Sequence, residues 1–220
     1  MKHIIILFLA LIGISFQTID KETDNNYKNN YKIKIMWTEN LKEDFSFKND
    51  WSYQEGIYKN KFGQLSCDGI CPQEIDRMKD KSGEIYKDSL QAFYKIVDTT
   101  HIAYSLKSEN RMYEYSGTNF IEFEKQKDGK IKGESLTNAS THSKLIIEIQ
   151  DGYCTAWVDF NSIKDIGENI FPLENGNIKI DKLLFEKGII KAEFDFNFKN
   201  TIDPNEELFW KGKIYTEFIN

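Results

Sequence analysis

Between Ile190 and Lys199 apolar and polar residues alternate without a break. Ile190, Ala192, Phe194, Phe196 and Phe198 share one face; Lys191, Glu193, Asp195, Asn197 and Lys199 share the other. Successive side chains of a strand point to opposite faces, so this segment is a strand with one buried and one wet side. A one-residue slip would bury Lys191, Glu193 and Asp195 together, at several kcal/mol per unpaired charge. The same period runs through Trp210, Gly212, Ile214, Thr216 and Phe218, set against Lys211, Lys213, Tyr215 and Glu217. A sheet that is wet on one face must pack the other on a second sheet or close on itself. The expected fold is mainly β (α+β): an antiparallel β-sandwich or barrel with one or two short helices.

The rest of the chain reads consistently with that. Ile33, Ile35 and Trp37 alternate with Lys32, Lys34 and Met36; Phe45-Ser46-Phe47 and Trp51 to Tyr58 are further short strand candidates. Leu145, Ile147 and Ile149 alternate with Ile146, Glu148 and Gln150. Asp151-Gly152 then turns the chain into Cys154, Ala156, Val158 and Phe160, with Tyr153, Thr155, Trp157 and Asp159 facing away. Asp128-Gly129 offers another hairpin turn, between Ile121/Phe123 and Ile131. Two segments read as helices. Pro72 to Lys79 starts with a proline and carries early acids. In Asp88 to Asp98, Leu90, Phe93, Tyr94 and Val97 recur at helical spacing, with Asp88 or Ser89 as cap and Gln91 placed for a capping box.

The chain begins Met1-Lys2-His3 and runs apolar from Ile4 to Ile14. One positive charge ahead of an apolar run of this length matches a secretory signal peptide. A membrane-spanning helix needs ~20 apolar residues. The competing reading, a buried N-terminal helix, fits poorly with the polar stretch Thr18 to Asn30 that follows. The expected organisation is a signal peptide over 1–17, a disordered tether over 18–30 and a single β-rich domain over 31–220. The product is then exported, periplasmic or extracellular, with no transmembrane segment left after cleavage. Loss of Lys2 takes the formal net charge from −6 to −7, with 28 basic and 35 acidic side chains remaining. A nucleic-acid partner would call for a basic patch, so none is expected.

A short signal, a polar tether, strands joined by Asp-Gly turns and the closing strand Phe209-Trp210-Lys211-Gly212-Lys213-Ile214-Tyr215 occur in that order. In this order of features the chain resembles exported β-rich proteins of Bacteroidetes. The resemblance implies export, a bacterial source and a β fold, and it implies no activity.

Candidate sites are few. Trp51 to Pro72 gathers Trp51, Tyr53, Tyr58 and Phe62 around Gly56, Gly63 and Gly69. Aromatics with glycines can form a stacking platform for a ring or a sugar, although aromatics more often reach a core. Trp51, Tyr53 and Tyr58, together with His101 and His142, are the ligand-binding candidates. Cys67 and Cys71 flank Asp68-Gly69-Ile70, where a turn brings two α-carbons within the ~7 Å that a disulfide tolerates. Export favours oxidation, and closing so short a loop stabilises by about 2 kcal/mol before strain. The spacing is C-x-x-x-C, not the C-x-x-C of thiol oxidoreductases, so a structural bridge outweighs a redox centre. Cys154 shares a face with Ala156, Val158 and Phe160 and reads as a buried hydrophobe; pairing of Cys154 with Cys67 or Cys71 is the competing connectivity.

Cys67, Cys71, His101 and His142 would also make a Cys2His2 set, but the spacing is not that of a zinc site. No metal and no cofactor is expected. A Ser/His/Asp triad lacks the G-x-S-x-G elbow that would support it. Acids from Asp76 to Asp88 have lysines where calcium ligands should stand, and read as a solvated connection. The expectation is an exported, non-catalytic β-domain that binds an unknown ligand or an envelope partner. The alternative is a hydrolase or thiol enzyme built on Cys67, Cys71, His101 and His142.

Overall fold

The computed structural model describes residues 31–53, 57–61, 63–67, 73–97, 99–136, 141–162, 164 and 167–219. The expected signal peptide and tether lie outside the described residues. In chain order the strands are β1 (Ile33–Lys34), β2 (Met36–Thr38), β3 (Trp51–Tyr53), β4 (Ile57–Lys59), β5 (Leu65–Cys67), β6 (His101–Ala103) and β7 (Leu106–Arg111). They continue with β8 (Ile121–Lys125), β9 (Ile131–Ser135), β10 (Ser143–Gln150), β11 (Tyr153–Asn161), β12 (Glu168–Asp181), β13 (Ile189–Phe198) and β14 (Leu208–Ile219). Among the described residues three short α-helices accompany them: α1 (Gln73–Asp76), α2 (Leu90–Ile96) and α3 (Lys182–Phe185).

Strands β8 to β14 form a meander in which each pairs antiparallel with the next. With seven strands the first and last run in the same direction, so closure has to be parallel. It is: β14 meets β8 through Phe218↔Phe123 and Ile219↔Glu124. The sheet is therefore a closed seven-stranded barrel, one of the two architectures expected from the alternation. The remaining strands pair where barrel neighbours do not reach. β1 takes Tyr153 and Cys154 of β11, β2 runs parallel to Lys179–Asp181 of β12, and β7 pairs with Phe209–Ile214 of β14.

The barrel interior is filled by side chains. Ile190, Ala192, Phe194, Phe196 and Phe198 are all buried and meet Phe123, Phe160, Phe171, Trp210 and Ile214 in one core. The face assigned to β13 is thus the inner one; on β14, Thr216 and Phe218 are half-buried where the strand reaches the barrel end. Phe160 and Phe171 pack 5.8 Å apart, and Tyr113 lies over both from the loop after β7. The indole N–H of Trp210 donates to Ser108 Oγ at 2.9 Å, so the largest buried side chain keeps a polar partner. Gly133 faces Phe123 across β8–β9; a Cβ there would overlap the phenyl ring. β12 bends between Leu173 and Asn175, handing its pairing from β11 to β13. Gly176, at φ 149°, follows the bend, where a Cβ would strike the Asp195 carbonyl.

The chain from β3 to β6 is an excursion outside the barrel. β3 and β6 form a two-stranded ribbon through which it leaves and returns. Between them the β4–β5 hairpin, α1 and α2 enclose a small core of Cys67, Ile75, Ile85 and Phe93.

Local readings differ from the structure in four places. Phe45-Ser46-Phe47 is not a strand. Asp44 accepts the Ser46 amide at 2.8 Å and starts a 3-10 turn over Ser46–Asn49, which lays Phe45 and Phe47 against Tyr104 and Tyr215. Trp51 to Tyr58 is split between two sheets. The helix expected over Pro72 to Lys79 is one turn in its described part, because Asp80 accepts the amides of Ser82 and Glu84 and closes a tight turn immediately after it. Ser89 makes no side-chain cap on α2: a 3-10 turn over Lys87–Ser89 leads into the helix, so no capping box forms from it. The Asp151-Gly152 hairpin holds, with positive φ at both central residues (52° and 78°), as a type I′ turn requires.

Candidate functional site

A filled barrel leaves no lumen for a ligand among the described residues, so candidate sites lie on its outside or on the excursion. Tyr53 and His101 are direct partners across the β3–β6 ribbon, and Trp51 stands two residues away on the same face. The indole of Trp51 stacks on the His101 imidazole at 3.6 Å and 11°. The Tyr53 ring meets both edge-on, at 5.3 Å and 5.1 Å. Trp51 nevertheless keeps 45% of its surface exposed. Three of the five ligand-binding candidates therefore converge. Tyr58, exposed on β4, makes no ring contact with the trio among the described residues.

His142 lies elsewhere, at the entry to β10. Its Nδ1 is 3.9 Å from Glu114 Oε2, and Ser162 Oγ donates to Glu114 Oε1 at 2.6 Å. The carboxylate is thus the middle member of this group. In a nucleophilic triad the imidazole stands between hydroxyl and acid. Ser162 Oγ also accepts the Lys164 amide at 2.9 Å, so the hydroxyl is held in its own turn. The Glu114 side chain is 4% exposed and ties the loop after β7 to the ends of β10 and β11.

Cys67 is buried in the small core of the excursion, packed with Ile75, Ile85 and Phe93. Its expected partner Cys71 lies outside the described residues. Cys154 is the free cysteine among them, fully buried in the barrel, where burial pushes its thiol well above the usual range. Among the described residues no group of three or more His, Cys, Asp or Glu could hold a metal ion, and no helix is long and apolar enough to cross a membrane.

Among the surface depressions of the described residues, two lie on the outer faces of barrel strands and have no counterpart in the candidate sites above. The larger, of about 570 Å³, lies over β7, β13 and β14. Its charges are laced into pairs: Lys179–Glu193, Lys211–Glu109 and Lys213–Glu43, each at 3.3 Å. This is the solvated face of the sheet.

The smaller, of about 220 Å³, lies on the outer face of β10 and β11. Glu148 and Gln150 of β10 point outward beside Thr155 and Tyr153, their cross-strand partners on β11. Trp157 forms a wall, Lys32 stands just before β1 and Lys130 just before β9. Lys130 pairs with Glu148 at 3.2 Å. Around it, Lys132 and Lys144 both bond Glu134, Lys144 at 3.0 Å, and hold its carboxyl below the usual range against the effect of burial. Asp159 is shifted the other way: burial raises it, opposed by a hydrogen bond from Trp157 and the charge of Lys144. The signal for this face was present in the alternation of Tyr153, Thr155 and Trp157.

No protein-family model, no curated protein and no solved structure matches this chain.

Proposed function

We propose that the chain is an exported, non-catalytic β-barrel domain that binds a ligand or an envelope partner through the Trp51–Tyr53–His101 cluster. The observation that carries this reading is the half-exposed indole of Trp51, held flat on His101 and braced by Tyr53. Large rings fixed in place at a surface give contact area at little entropic cost, which is why aromatics recur at binding surfaces. The filled barrel supplies rigidity and leaves binding to the exterior.

The alternative, a hydrolase or thiol enzyme, has less support. His101 and His142 have separate neighbours, and the His142 group has its carboxylate in the wrong place for a triad. The free thiol Cys154 is sealed in the core. Catalysis of this kind needs nucleophile and base within hydrogen-bond reach.

Cosedimentation of the mature protein with isolated cell-wall sacculi and with surface polysaccharide tests the reading. Wild type is expected to sediment with one of them, and Trp51→Ala to stay in solution with an unchanged melt. Equal sedimentation of wild type and Trp51→Ala, or none by wild type, overturns it.

A further inference from the structure

We infer that the outer face of β10 and β11 is a second binding site, built for one pyranose ring. It does not depend on the Trp51 cluster, which lies on a different sheet.

The first observation is shape. The depression is about 220 Å³, below the ~300–1,000 Å³ of clefts that enclose drug-sized ligands and of a size for a single ring. Its floor is a pair of long antiparallel strands in unbroken register from Ser143↔Phe160 to Gln150↔Tyr153. The type I′ turn at Asp151-Gly152 fixes that register at the end nearest the depression.

The second observation is chemistry. Tyr153, 47% exposed, offers an aromatic face at the rim. The C–H face of a pyranose is its apolar surface, and an aromatic ring is its natural partner. Around that face stand ammonium donors (Lys32, Lys130), a carboxylate acceptor (Glu148), and an amide and a hydroxyl that each donate and accept (Gln150, Thr155). A sugar hydroxyl also donates and accepts, so a ring of hydroxyls can satisfy this mixed set. A compact dianion such as phosphate would meet the Glu148 carboxylate, and an apolar ligand would strand the polar rim without partners.

The third observation is preorganisation. Lys130 and Glu148 hold each other at 3.2 Å, half-buried, so neither head group has to be ordered by the ligand. Trp157 is buried and its hydrogen bond goes to Asp159, which leaves the ring as a fixed wall.

The test uses the mature protein labelled with 15N and two probes, cellohexaose and hexagalacturonic acid. Each is added to about 10 mM, above the ~1 mM dissociation constant of a weak site. The four tryptophans give four indole N–H resonances, assigned by single Trp→Phe variants. The Trp157 resonance is expected to shift with at least one probe. A shift with both assigns recognition to the ring itself; a shift with the acidic probe alone adds Lys32 as a contact to the carboxylate. Tyr153→Ala is expected to weaken binding by about tenfold or more with an unchanged melt, because the aromatic face is lost. Trp51→Ala is expected to leave it unchanged. The inference is overturned if neither probe moves Trp157, if Trp51 alone responds, or if Tyr153→Ala binds as wild type does.

Discussion

Phe123 occupies the space that Gly133 leaves across the β8–β9 pair, ring over backbone, inside the barrel. A large residue is accommodated by the absence of one on its partner strand. Gly133→Ala should destabilise by roughly 1–3 kcal/mol, the usual cost of overpacking, because a methyl group there overlaps the ring. Gly133→Ala combined with Phe123→Leu should recover part of that loss. Urea melts of both variants check the relationship; additive losses would mean the two positions do not share the space.

Phe196 and Asp195 are neighbours in sequence on opposite faces of β13. Phe196 is fully buried and Asp195 is exposed. Phe196→Ala should cost roughly 3–5 kcal/mol and Asp195→Ala less than about 0.5 kcal/mol. Denaturant melts that gave equal effects would contradict the inner face assigned to this strand.

Asp181 is buried at the end of β12 and serves two segments. Oδ1 caps α3 by accepting the Leu184 amide at 3.1 Å, and Oδ2 accepts the Leu41 amide at 3.1 Å. Asp181→Ala removes a cap and strands a buried amide, together about 2–4 kcal/mol. Hydrogen exchange should show the Leu41 and Leu184 amides losing protection while the barrel strands keep theirs; uniform loss would mean Asp181 supports the whole fold instead.

Asp159 has its folded-state pKa raised by burial. For an acid this means the charged form is disfavoured on folding. The penalty is fully present above the folded value and disappears below the unfolded value of about 3.9. Asp159→Asn should therefore stabilise at pH 7, and the gain should vanish near pH 3. Asn keeps an acceptor for the Trp157 indole. Melts at the two pH values test the sign; a variant less stable at pH 7 would refute it.

Cys154 should resist alkylation until the protein is denatured, since its thiol is buried and its thiolate disfavoured. Non-reducing peptide maps are expected to join Cys67 to Cys71. Labelling of Cys154 in the native protein, or a Cys67–Cys154 link, would overturn the cysteine assignment.

The parts of the fold that were legible follow from short-range pattern. Period-two alternation gave β13 and most of β14, and Asp-Gly marked two hairpins. β12 has no counterpart among those alternations, because Pro172 and the polar run Glu174 to Asn177 interrupt its period. The structure places that run at the bend where the strand changes partners. Phe45 and Phe47 mimicked a strand because a 3-10 turn can also bury two alternate residues. The stack of Trp51 on His101 joins residues 50 positions apart, and no local pattern reports such a pairing. The depression on β10 and β11 is half visible in the alternation of Tyr153, Thr155 and Trp157, but Lys32 and Lys130 reach it from just before β1 and β9.

An odd meander also sets an order of events. The parallel seam joins residues 123 and 218, and β8 has no closing neighbour before β14 has emerged. Contacts so far apart in sequence form slowly. Without that seam, β8 to β13 would be an open sheet whose two margins offer unsatisfied backbone to any passing strand. The last residues of β14 therefore carry a duty beyond packing: Phe218 and Ile219 cover a strand margin that would otherwise recruit other chains.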